Sequence, residues 1–229
     1  MSYTFKQVLL PANKHKIKCP YSMKPQYITV HNTANDASAA NEIAYHNRNS
    51  NQVSYHVAID DKEAIQCIPF DRNAWHCGDG QGDGNRKSIG IEICYSKSAG
   101  SRYVAAEENA VQYIAKLLHE YGWGVDRVKK HQDWSGKNCP HRILADGRWK
   151  LFKDRIQVAL EKLKLPQKEE KEVVQLLNET GRKEIRLLLK KARAAGIIDE
   201  AFHTDHKIDK YSDVELLSYQ AAVVNRTFK

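Results

Sequence analysis

The chain's hydrophobic patterning predicts an α/β fold, a mixed central sheet flanked by helices, with a small all-α domain after it. Strand and helix signals alternate over roughly the first 160 residues, as layered α/β domains require. A charged stretch opened by leucine and proline, LPQKEEKE at 165–172, interrupts that rhythm and reads as a linker. Only helical patterns follow it. The expected division is a first domain over residues 1–164, the linker over 165–172, and a helical domain over 173–229 whose core is limited by its size.

Each element has its own signal. Residues 26–31 (QYITVH) read as a strand ending in a histidine, bounded by Pro25 and by the turn formers NTAND. Residues 38–47 read as a helix carrying Ala39, Ile43, Ala44 and His46 on nearby faces. Residues 52–59 (QVSYHVAI) alternate like a strand; DDK at 60–62 turns the chain, and residues 64–68 complete a hairpin. Residues 75–84 (WHCGDGQGDG) form a glycine-rich surface loop. Its two aspartates raise the question of calcium, but the closing glutamate of an EF-hand loop is missing. Residues 88–95 (SIGIEICY) read as a buried strand with one acid, Glu92, on the side shared with Gly90 and Cys94. An amphipathic helix spans 105–121, a short strand 128–131, and a further helix 149–165. Beyond the linker, helical patterns cover 173–177, 182–195 and 213–225. Gly196 suits the C′ position of the second, and SDVE at 212–215 fits a capping box at the start of the third.

The segment HQDWSGKNCP at 131–140 has a composition that no packed core needs. It offers an imidazole (His131), an ammonium (Lys137) and a thiol (Cys139) among turn formers. Histidine and cysteine are preferred ligands of a borderline-soft ion such as zinc. Lys137 would set a cation beside such a metal, useful where a reaction builds up negative charge. His31, at a strand's C-terminal end, is a third candidate ligand. No Cys-x-x-Cys or closely paired second histidine supplies a closed structural site. Two histidines and one cysteine leave the fourth position of tetrahedral zinc open, which suits catalysis. The pair in HTDH at 203–206 has no further ligand to support a metal.

At this point the sequence resembles the type 2 N-acetylmuramoyl-L-alanine amidases, whose fold is shared with lysozyme-like phage amidases and animal peptidoglycan recognition proteins. ITVHNT at 28–33, VSYHVA at 53–58, SIGIEI at 88–93 and His131-x7-Cys139-Pro140 carry the resemblance, in family order, over roughly residues 20–155. NAWHCGDG at 73–80 and EICYS at 92–96 narrow it to endolysins of phages and prophages of Bacillus-like hosts. The resemblance implies hydrolysis of the amide between N-acetylmuramic acid and L-alanine. It implies that His31, His131 and Cys139 bind Zn2+, and that Glu92 serves as general base and then general acid. It further implies that Lys137 holds the oxyanion and that Tyr55 assists as a hydrogen-bond donor. Trp75, His76 and His56 are expected along the substrate groove, where aromatic and amide-like groups suit sugars and peptides.

The net charge of +8 points to an anionic partner. Bacterial peptidoglycan with its wall polymers is the expected partner. Nucleic acid is not, since no helix groups Lys and Arg around aromatics in a recognised motif. A non-catalytic peptidoglycan-binding protein on the same fold is the alternative, but proteins of that kind typically lose the cysteine ligand, and Cys139 is present. No apolar run reaches the ~18 residues of a membrane span, so membrane insertion is not expected. The N-terminus shows no secretory signal, which implies residence in the host cytoplasm until release. The five cysteines have no framework spacing and are expected as reduced thiols.

Overall fold

Short runs rich in isoleucine and valine build the sheet of the first part of the chain. The computed structural model describes residues 3–164, 177–198 and 203–227. It divides into two units, Met1–Pro166 and Gln167–Lys229. The linker expected at 165–172 and the short helix at 173–177 lie outside the described residues, apart from Leu177, which is not helical.

In chain order the first unit contains β1 (Thr4–Gln7), α1 (His15–Lys18), β2 (Tyr27–Asn32), α2 (Ala39–Arg48), β3 (Val57–Ile59), β4 (Glu63–Gln66) and α3 (Asp83–Lys87). It continues with β5 (Ser88–Ile93), α4 (Gly100–Tyr121), β6 (Val128–Lys130), α5 (Gln132–Ser135), α6 (His141–Ala145) and α7 (Trp149–Lys164). The sheet order is β1-β4-β3-β5-β2-β6. All neighbours are parallel except the β3–β4 hairpin, which makes this the expected mixed sheet flanked by helices. Strands β5 and β2 lie inside it. Their Ile28, Val30, Ile89, Ile91 and Ile93 are fully buried, as sheets covered on both faces require.

Parallel pairing sets the register that matters for the site. Val30 lies beside Ile91, and His31 beside Glu92. Residues in register on adjacent strands share a face, so both polar side chains leave the sheet on one side at the C-terminal ends of β2 and β5.

Besides the short helices α1, α3, α5 and α6, which no sequence pattern announces, the structure departs from expectation in three places. The strand expected over 52–59 contracts to β3, because Ser54 bonds a neighbouring loop instead of a ladder. Its hydroxyl donates to the Lys18 carbonyl (2.6 Å) and accepts from the Trp75 amide (2.8 Å). The long helix α4 begins at Gly100, earlier than the apolar stripe predicts. Gly100 (φ +75°) turns the chain there, and Arg102 lies 4.2 Å over the Tyr95 ring. Strand β1 carries no apolar alternation and is wholly exposed, yet it pairs with β4 as an edge strand. Near the other end of the unit, buried Glu107 of α4 accepts from Arg148 (2.8 Å) and from Arg155 of α7 (2.5 Å), tying the two helices together.

The second unit contains α8 (Glu179–Ala194), α9 (Asp205–Ile208) and α10 (Asp213–Thr227). Asn178 caps α8 by accepting from the Gly181 amide (2.7 Å). Gly196 has the positive φ (+67°) of a C′ residue, and Ser212 and Glu215 form the expected reciprocal capping box. Leu189, Ile208 and Leu216 fill its core, and Arg182 grips Asp213 through two bonds (2.5 and 3.0 Å). No described helix is long and apolar enough to cross a membrane.

Candidate metal centre and active-site cleft

The centre is built from a strand end and one returning loop. His31 is the penultimate residue of β2 and is 1% exposed. His131 follows β6 directly, its amide bonded to the Val30 carbonyl (3.4 Å). The loop then folds back on itself: the Gln132 amide donates to the Cys139 carbonyl (3.0 Å), and the Trp134 indole donates to Thr29 Oγ1 (2.9 Å). That fold returns Cys139 to the strand ends. His31 Nδ1 lies 3.0 Å from His131 Nδ1 and 3.8 Å from Cys139 Sγ.

Burial, first of all, depresses the pKa of both histidines, with the Lys137 charge adding to it, so both imidazoles are neutral. Two neutral ring nitrogens 3.0 Å apart must either share a proton or face a cation. With a cysteine sulfur beside them, the donor set fits a borderline-soft ion. The ligand atoms of His31, His131 and Cys139 all lie within 4.8 Å of one another. A second trio among the described residues, His31, His76 and Cys77, meets the same condition through the opposite edge of the His31 ring.

Access, not charge, separates the two thiols. Burial raises both, Cys139 to about 12. At Cys139 the Glu92 carboxylate adds to the rise and Lys137 opposes it; at Cys77 a Thr29 hydrogen bond opposes the rise and Asp79 adds to it. Cys77 is fully sealed, whereas Cys139 keeps 5% exposure on the loop that carries Lys137. The His31–His131–Cys139 trio is therefore the better ligand set. His203 and His206 belong to neither group.

Two openings adjoin this centre. One, of about 500 Å3, is lined by Trp75, His76, His131, Ser135 and the exposed Lys137. The other, of about 360 Å3, is lined by Glu42, His46, Tyr55 and Glu92. Glu92 Oε2 and Tyr55 Oη are buried there without a protein partner. Burial raises Glu92 to about 8; the Glu42 carboxylate adds to the shift and Lys137 opposes it. Burial likewise raises the Tyr55 phenol, which stays protonated and able to donate.

The residues expected along a groove separate. Trp75 is half-exposed and lines the larger opening, its indole anchored on the Ile17 carbonyl (3.1 Å). His76 borders the same opening, but its ring nitrogens point inward, to His31 and to the Ser88 carbonyl. Contrary to expectation, His56 does not reach a groove. It is fully buried, its Nδ1 accepts from the Gly90 amide (2.9 Å), and its Nε2 donates to the Arg72 carbonyl (2.9 Å). It straps β5 to a loop. The sequence reading also passed over Asn85, whose Oδ1 accepts from the amides of both His76 and Cys77 (2.8 Å each) and fixes that turn. Glu42 was passed over too; an acid on an ordinary helix face gives no signal of the carboxylate it will oppose.

Known proteins resemble this chain over the part that holds the centre. The family model described as N-acetylmuramoyl-L-alanine amidase (Amidase_2) covers residues 21–142, a span that contains every residue named above at the centre. The N-acetylmuramoyl-L-alanine amidase CwlA of Bacillus subtilis (strain 168) is 62% identical over 156 residues, 68% of this chain and 57% of that protein. The amidase XlyB of the same organism is 59% identical over 163 residues, 71% of this chain and 50% of that protein. The chain thus spans little more than half the length of these curated relatives. The solved structure of PlyL matches with a TM-score of 0.66 and 56% identity, over 67% of this chain and 97% of that one.

Proposed function

The chain belongs to the N-acetylmuramoyl-L-alanine amidase family, and from that premise we propose that it hydrolyses the amide joining N-acetylmuramic acid to L-alanine in bacterial peptidoglycan, as an endolysin does. His31, His131 and Cys139 hold a zinc ion in this reading. Zinc so held supplies a Lewis acid that polarises the scissile carbonyl and makes water acidic enough to attack near neutral pH. The single observation that carries the reading is the meeting of these three ligand atoms beside Glu92, the register partner of His31.

The remaining steps belong to the chain's own groups. Glu92 takes a proton from the attacking water and returns it to the leaving L-alanine nitrogen. Its raised pKa suits the second transfer, and a cation among the neighbouring ligands favours the carboxylate needed for the first. Lys137, exposed on the cleft wall, puts a fixed positive charge where the tetrahedral oxyanion forms. Tyr55 donates from the opposite opening, its hydroxyl free of any protein partner. Trp75 offers an aromatic face to the substrate.

Residues 173–229 act, in the same proposal, as a wall-binding domain. Support comes from a core of their own and from exposed Leu187 and Leu217 on the faces turned away from it. Anionic wall polymers suit the lysines and arginines of α8. A fluorescent fusion of this segment should label host walls; a fusion that leaves them dark assigns the segment another task.

Mass spectrometry of digested peptidoglycan tests the reaction. The expected products carry new L-alanine amino termini without new reducing sugar ends. New reducing ends, or new termini elsewhere in the peptide, would contradict it.

A further inference from the structure

His76 has a feature that substrate contact does not explain. Its ring lies flat against β5 at the one strand position with no side chain: a Cβ on Gly90 would fall 2.9 Å from three of its ring atoms. Asn85 holds the His76 amide from behind. Both ring nitrogens are engaged. Nε2 lies 3.2 Å from the Ser88 carbonyl, Nδ1 lies 2.9 Å from His31 Nε2, and Cys77 Sγ is 3.1 Å from the same Nδ1.

A carbonyl only accepts, so His76 Nε2 carries the proton. In a neutral imidazole Nδ1 is then a bare lone pair. His31 Nε2 must therefore donate to it, and the Cys77 thiol can only be a second donor. A neutral His31 protonated at Nε2 has its own lone pair at Nδ1, the atom facing His131 and Cys139. Protein chemistry thus runs in one direction from the Ser88 carbonyl through two imidazoles to the metal centre.

We propose that His76 is a positioning residue that fixes His31 in the Nε2–H tautomer and aims its Nδ1 lone pair at the metal. This role rests on the zinc reading above. Histidine ligands usually donate their second nitrogen to an acceptor, and losing such an acceptor weakens metal binding ~10–100-fold. Here the acceptor is a second histidine, itself oriented by a backbone carbonyl.

Two measurements on the full chain test it. Long-range 1H–15N correlation spectra of the zinc-free wild-type protein should show His31 protonated at Nε2 and His76 at Nε2. Zinc affinity, read by chelator competition, should fall ~10–100-fold in His76→Leu and be largely restored in His76→Asn, whose amide oxygen replaces the accepting nitrogen. Wild-type protein that takes up no zinc overturns the metal reading itself. Wild-type protein that binds zinc but carries the His31 proton on Nδ1, or a folded His76→Leu that binds zinc as tightly as wild type, overturns the role of His76 alone. If His76→Leu does not fold, the tautomer spectra of the wild type still decide.

Discussion

Two histidine–cysteine clusters meet at His31, one on each edge of its ring. They use the same residue types at similar separations, and all five side chains are buried. What differs is the surroundings. The His131–Cys139 side has an exposed lysine beside it and openings on either hand. On the other side His76 borders the larger opening but turns both ring nitrogens inward, to His31 and the Ser88 carbonyl, and Cys77 is sealed, with Asp79 as the nearby charge. A donor set can serve catalysis only where something can enter; the same residue types with their nitrogens engaged and their thiol sealed serve as its support.

The largest effect that would sharpen this contrast is His131→Ala. It should abolish both zinc uptake and wall lysis while leaving the fold intact by circular dichroism; retained lysis would place the chemistry elsewhere. Next comes Glu92→Gln, expected to lower the rate of wall-fragment hydrolysis by ~10²–10⁴ with zinc content unchanged.

The same substitution should reveal a stability cost. Glu92 titrates at about 8 in the folded protein, against roughly 4.3 in an unfolded chain. Between those values the folded state keeps a proton that the unfolded state releases. Stability of the zinc-free protein is therefore complete below the lower value and falls as pH rises through the upper one. Glu92→Gln should remove that fall, a gain on the order of 2 kcal/mol at about pH 8 after allowing for the exposed part of the side chain. Urea denaturation at about pH 5 and about pH 8 measures it, and parallel profiles for the two proteins would contradict the assignment.

Lys137→Met removes the charge but keeps the length. It should slow turnover ~10²–10³-fold with little change in substrate affinity, as loss of one oxyanion donor does; an effect confined to affinity would make Lys137 a binding residue. The smallest effect is expected from Gly90→Ala on the sealed side. Its Cβ would press on the His76 ring, costing about 1–3 kcal/mol as overpacking does, visible as a lowered melting temperature.

The open cluster was far more legible in the sequence than the sealed one. Histidine at a strand end and a His–Lys–Cys loop of turn formers announce themselves by composition. Glu92 stood out as the one acid in an apolar strand. Its adjacency to His31 did not, because parallel register between strands some sixty residues apart is set by tertiary packing. His76, which does border the larger opening, and His56, which does not, both looked like groove residues because histidine beside tryptophan or tyrosine suits carbohydrate. Only the positions of the Ser88, Arg72 and Gly90 backbone groups show that their rings are spent inside the protein. Strand β1 was illegible for a simpler reason: an exposed edge strand needs no apolar face.

Zinc content of Cys139→Ser and Cys77→Ser, purified side by side, tests the central claim most directly. Loss of the metal from Cys139→Ser alone, with Cys77→Ser near one zinc per chain, is the predicted result. Zinc retained in Cys139→Ser and lost from Cys77→Ser would place the metal on the sealed edge of His31 and contradict the assignment.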